Sequence, residues 1–143
     1  MTKAEAPLLI HATTVSHQGR GLLICGPSGS GKSALALQMM ALGADLVADD
    51  QTELTRDGAR LIARAPAALH GLIEARGVGI LRATAVAQAE IVLVADLSQP
   101  AQGRLPPHQN VTLLGLTLDL VFPPQGDHFP ASLLCYLSAG RHA

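Results

Sequence analysis

The apolar positions of this chain fall into short runs, each bounded by glycine, proline or charged residues. Runs of that length read as strands. Leu8 to Val15 is β-prone, Gln18-Gly19-Arg20 reads as a turn, and Gly21 to Cys25 is a second apolar strand, so a hairpin partner is expected just before it. Asp45 to Ala48 is a further short strand. Gln51–Thr55 and Arg60–Ala63 flank Arg56-Asp57-Gly58, and Asp-Gly between two such runs is a strong hairpin signal. Glu90 to Ala95 is the most continuous apolar run and ends in Asp96; Val111–Leu114 and Leu116–Val121 form a last pair around Gly115. Only two stretches have helical character. Residues 31 to 42 are apolar almost all the way round (Leu35, Leu37, Met39, Met40, Leu42), which predicts burial on more than one side, with Gly43 closing the helix. Pro130 to Leu137 is the other, with Asp127 as the expected cap and an end near Gly140. Strand follows strand without a helix after Asp50, so the expected fold is α/β with a mixed sheet.

At 143 residues the chain suits one domain, residues 1–143, with a real core but little room for a separate lid. Lys+Arg 10 against Asp+Glu 11 gives a net charge of −1, which offers no basic footprint for nucleic acid. No apolar run is long enough to span a bilayer, and the start, Met1 to Ala6, carries Glu5 and does not read as a signal peptide. Cys25 and Cys135 lack metal spacing and read as reduced, buried thiols of a cytoplasmic protein.

Candidate chemistry begins at Gly26-Pro27-Ser28-Gly29-Ser30-Gly31-Lys32-Ser33, which fits G-x-x-x-x-G-K-[ST] at every fixed position, between a strand and a helix. The glycines permit backbone that turns successive N–H groups into one concave nest beside the positive end of the helix. Lys32 suits the β and γ phosphates of a nucleotide such as ATP, and Ser33 suits Mg²⁺. Asp49 and Asp50 end a strand one helix away, at the sheet edge where α/β proteins bind ligands. Asp96 competes with them on the same grounds. Glu74 and Arg76, two apart in a segment that reads as extended, face one side together. His11 lies within the first β-prone run.

Three stretches together, Gly26–Ser33, Leu46–Asp50 and Leu72–Ile80, resemble the catalytic domain of HPr kinase/phosphorylase in residues, order and spacing, and His11 matches the family's histidine ahead of the loop. The resemblance covers about residues 8 to 97. It implies a fold related to phosphoenolpyruvate carboxykinase. It also implies ATP- and Mg²⁺-dependent phosphorylation of a serine of HPr, the phosphocarrier of the sugar phosphotransferase system, in many members with phosphorolytic removal as well, and assembly as a hexamer. By the same resemblance Asp49 is the catalytic acid/base assisted by His11, Asp50 its neighbour, Ser33 and Glu74 the Mg²⁺ ligands, and Arg76 part of the signature segment. Leu97–Ala143 does not match the family's basic loop and C-terminal helical segment, so the likeness is to a compact form lacking the N-terminal domain. The residues also admit a P-loop kinase for a small metabolite, or a nucleotide-binding regulatory module without transfer activity.

Overall fold

The computed structural model describes residues 7–143, so the reading of Met1 to Ala6 lies outside the described residues. The described residues form eleven strands and two α-helices: β1 Leu8–Ile10, β2 Thr13–His17, β3 Arg20–Cys25, α1 Lys32–Ala41, β4 Asp45–Ala48, β5 Thr52–Asp57, β6 Arg60–Arg64, β7 Leu72–Ala75, β8 Gly79–Arg82, β9 Ala89–Asp96, β10 Gln109–Leu113, β11 Leu116–Val121 and α2 Phe129–Ala139. Nine strands form one sheet in the order β1-β5-β6-β9-β3-β2-β4, with β11 also on β9 and β10 outside it. β3 and β11 run parallel to β9 and the other pairings are antiparallel, so the sheet is mixed as expected. β7 and β8 form a separate two-stranded ribbon.

The β2–β3 hairpin closes through Gln18 and Gly19, both with positive φ (54° and 79°), the turn geometry whose twist matches that of paired strands. Residues on β3 alternate between two apolar layers. Leu22 and Ile24 join Leu35, Ala36 and Met39 of α1 and Leu133 and Leu137 of α2; Leu23 points the other way, to Val47, Leu54, Leu61 and Ile91. Both faces of the central strands are therefore covered, which explains why their sequences are continuously apolar rather than alternating.

α1 ends as its sequence suggests. Gly43 takes φ 114°, its N–H bonds the Met40 carbonyl, and the Ala44 N–H bonds that of Met39, a Schellman closure. Burial of α1 is narrower than expected. Leu35, Ala36 and Met39 are buried and Leu37 and Met40 half-buried, but Leu42 is 54% exposed because the chain leaves the core at that turn.

Three further expectations are corrected. Leu8 to Val15 is not one strand: it breaks at His11 and Ala12, because β1 pairs with β5 while β2 pairs with β3 and β4. Asp127 does not cap α2. His128 holds the cap position without a side-chain bond, since Pro130 in the first turn sets the start one residue later. Cys135 is exposed on α2, and only Cys25 is partly withdrawn from solvent. Burial, with Asp96 adding to it, pushes the Cys25 thiol up to about 11. At pH 8 an alkylating reagent is expected to modify Cys135 rapidly and Cys25 only after unfolding; peptide mapping with and without denaturant checks this. Because its folded value lies above the ordinary 9.0, Cys25 contributes stability below pH 9 that is lost as pH rises toward 11.

Candidate active site

The break in the first strand is what builds the site. The antiparallel ladder of β1 on β5 and the first pair of β2 on β4 share one register: Ile10 lies opposite Thr52 on one side of the break, and Thr14 opposite Ala48 on the other, after which the β2–β4 register shifts by one residue. Between them His11, Ala12 and Thr13 lie across from Gln51, Asp50 and Asp49, where the ladder is interrupted and the chain bends. Buried hydroxyls pin the bend. Thr52 Oγ1 donates to the Ala12 carbonyl (2.9 Å) and accepts from Thr14 Oγ1 (2.9 Å).

The two acids emerge from this bend in opposite ways. Asp49 is turned inward and only 6% exposed. Its Oδ1 accepts from Ser33 Oγ (2.6 Å) and Thr13 Oγ1 (2.9 Å), and its Oδ2 accepts the Glu74 N–H (2.9 Å). Asp50 is exposed and takes φ 67°, a left-handed conformation that costs a non-glycine residue about 1–2 kcal/mol. Its N–H donates to Thr13 Oγ1 (3.3 Å), and its carboxylate accepts from His11 Nε2 at 2.6 Å. The adjacent carboxylates thus avoid each other, one held by three donors and the other by the imidazole.

Thr13 ties the two together, and sequence reading missed it. A threonine in a β-prone run carries no signal; only the register places its hydroxyl between both acids. Thr13→Val keeps the shape but leaves the Asp50 N–H and one Asp49 lone pair unserved in a fully buried place. The expected cost is about 1–3 kcal/mol of stability. Thr13→Ser should recover most of it; chemical denaturation of the two variants against the parent measures the difference.

Opposite the acids lies the glycine loop. Gly26 takes φ 148°, and a Cβ there would meet Ser30 Oγ at 2.6 Å and Leu97 Cβ at 3.2 Å, so only glycine fits. Gly31 occupies the N-cap of α1 at φ 99°, so the loop runs directly into the helix start, where N–H groups without an intrahelical partner favour an anion. Lys32 is 7% exposed, and its amine donates back to the carbonyls of Gly26 (2.8 Å) and Pro27 (3.1 Å). Ser30 Oγ is buried under the loop without a hydrogen-bond partner.

Loop, bend and ribbon enclose an open cleft of about 530 Å³. Ser28, Gly29, Gly31, Lys32 and Ser33 line it from the loop, His11, Thr13 and Asp50 from the bend, and Glu74 and Arg76 from the β7–β8 ribbon. Arg76 lies in the turn after β7 rather than in the strand, because the chain reverses at Arg76–Val78, yet it reaches the same cleft as Glu74. Gly26, Pro27 and Ser30 shape the loop from behind. Sequence reading missed Leu37 and Gln38 of α1 and Val78 at the ribbon tip, which also line the cleft. Asp96, at the end of β9, lies opposite Cys25 just ahead of the glycine loop but does not line this cleft, and its carboxylate accepts the Ser98 N–H (2.9 Å) in a local turn.

Among the described residues no cluster of three or more His, Cys, Asp or Glu is placed to hold a metal unaided. The oxygen donors at the cleft suit a hard cation that keeps most of its shell from water and phosphate. Ser33 Oγ is bonded to a buried carboxylate, with the Glu74 side chain on the facing wall.

Strand, glycine loop and helix, with acids across from the loop on a mixed sheet, define a P-loop-type α/β domain. The chain belongs to the HPr serine kinase C-terminal domain family, whose model matches residues 3–99. It is 36% identical over 102 residues to the HPr kinase/phosphorylase of Clostridium acetobutylicum, a match that covers 66% of this chain and 34% of that protein. It is 37% identical over 134 residues to that of Cupriavidus necator, covering 85% of this chain and 42% of the relative. The chain thus spans less than half the length of these curated relatives. The solved structure of the Hpr(Ser) kinase/phosphatase from Coxiella burnetii superposes with a TM-score of 0.77 at 25% identity, over 92% of this chain and 93% of that one. No helix among the described residues is long and apolar enough to cross a membrane.

Proposed function

We propose that residues 1–143 form a catalytic unit that transfers the γ-phosphoryl group of ATP to a serine of an HPr-type phosphocarrier protein. The observation that carries the reading is the single cleft on which the loop Gly26–Ser33, the His11–Asp50 pair, Glu74 and Arg76 converge over buried Asp49. Family membership supports the same activity, and the names of the relatives support HPr as the acceptor.

The donor phosphates lie on the N–H groups at the start of α1, with Lys32 exchanging the Gly26 and Pro27 carbonyls for phosphate oxygens. Mg²⁺, held by Ser33 and Glu74, supplies charge neutralisation to the phosphates when bound. The acceptor hydroxyl approaches from the open side. Its oxygen bonds to the γ-phosphorus as the bond to the β-bridging oxygen breaks and ADP leaves. Its proton passes to Asp49, a carboxylate with room for about four acceptor contacts, of which three are taken. Beside it His11, on Asp50, holds the approach polar and orders the neighbouring backbone. Run in reverse with inorganic phosphate as the nucleophile, the same groups return the proton to the serine oxygen and release pyrophosphate. A hexameric assembly and a cytoplasmic setting belong to the same proposal.

Incubation with ATP, Mg²⁺ and HPr, followed by mass spectrometry, tests it. A gain of one phosphate on an HPr serine is the expected result. Label on a small metabolite with none on HPr would favour the metabolite-kinase reading, and bound but unconsumed ATP the regulatory-module reading.

A further inference from the structure

A second cleft, of about 470 Å³, shares no lining residue with the first and lies between the 101–107 loop, β11 and α2. The chain contains only two phenylalanines, one tyrosine and no tryptophan, and all three rings line this one cleft: Phe122, Phe129 and Tyr136. Arg104, Arg141 and His128 stand with them, and no Asp or Glu among the described residues lines the space. The Arg141 guanidinium donates to the Pro106 carbonyl and so fastens the loop over the end of α2. The Tyr136 hydroxyl is turned to Asp119, outside the lining, which leaves the ring as the surface offered to the cleft.

A protein with so few rings that gathers them with two arginines and no acidic side chain among the described residues, in a volume within the ~300–1,000 Å³ typical of small-molecule sites, has the makings of a ligand pocket. Apolar rings reward a flat, apolar body, and guanidinium groups with no carboxylate side chain in the lining reward a negative charge on its edge. We propose that this cleft is a binding site for a small planar organic anion, separate from the phosphoryl-transfer cleft. Nothing in the inference depends on the transfer reaction.

The probe is 1-anilinonaphthalene-8-sulfonate, a fused aromatic body bearing one sulfonate, titrated into the intact chain by fluorescence and by amide chemical-shift mapping. The expected result is saturable binding at one site, with shifts concentrated in residues 101–107 and 129–141. The neutral 1-anilinonaphthalene, and Arg104→Gln tested with the sulfonate, should each bind about tenfold more weakly, the loss expected for one charge-assisted hydrogen bond. Arg104 is exposed, so its replacement leaves the fold intact, and a circular dichroism spectrum confirms that. Shifts centred on Gly26–Ser33, equal affinity for charged and neutral probes, or unchanged affinity in Arg104→Gln would each overturn the proposal. So would sedimentation showing that a second copy of the chain covers this face and excludes the probe.

Discussion

Asp49→Asn is expected to lower the rate of phosphoryl transfer by about 10²–10⁴, the contribution of a positioned general base, while ATP still binds. The substitution is nearly isosteric. The amide oxygen can still accept from Ser33 and Thr13, but its NH₂ now faces the Glu74 N–H, two donors where the parent has a donor and an acceptor. Some stability is lost with that contact, so the comparison needs both numbers. Isothermal titration gives nucleotide affinity, and quenched-flow gives the transfer rate on the same preparation. A normal rate with normal binding would remove Asp49 from the chemistry and leave it as the strut under Ser33.

Lys32→Ala should weaken ATP binding and reduce transfer together. The loop loses its only side-chain cation, and a single charge-assisted contact of this kind contributes about 1.5–3 kcal/mol, or roughly 10- to 100-fold in affinity. Removal of a preorganised donor from the transition state costs a further factor of about 10²–10³ in rate. The amine also holds the carbonyls of Gly26 and Pro27, so part of the loss reflects a loosened loop. Lys32→Arg separates the two effects. It keeps the charge but cannot fit the same two carbonyls as a compact ammonium, so affinity should recover more than rate. Titration with ATP and with ADP checks this, since the γ-phosphate contribution disappears in the second.

Much of the site was legible in the sequence where the determinants are local. Gly26–Ser33 has fixed spacing and flanks of the right kind, Gln18-Gly19 and Asp57-Gly58 announce hairpins, and Gly43 marks a helix end. The structure departs where long-range pairing decides. Leu8 to Val15 looks uniform because every residue in it tolerates extended backbone. Its break at His11 follows from two different partner strands and from the bend that Asp50 makes opposite it. Thr13 stayed hidden for the same reason: its importance lies in a register, not in its neighbours. Arg76 was read as part of a strand because the Gly77 and Gly79 that follow it could mark either a bend or a close approach, and the chain chose the bend. Beyond Asp96 the local signals are turns and prolines, and nothing in the order Phe122, Phe129, Tyr136 indicates that the three rings line one cleft.

Whether this cleft hands the γ-phosphoryl group to a protein serine is decided by a single-turnover experiment. The chain is loaded with γ-labelled ATP and Mg²⁺, mixed with excess HPr, quenched, and resolved into protein and nucleotide. Label is expected to leave ATP and appear on HPr as acid-stable phosphoserine, at a rate abolished by EDTA and lowered about 10²–10⁴-fold by Asp49→Asn. Labelled ATP bound but intact, with HPr unlabelled at every time, would contradict it.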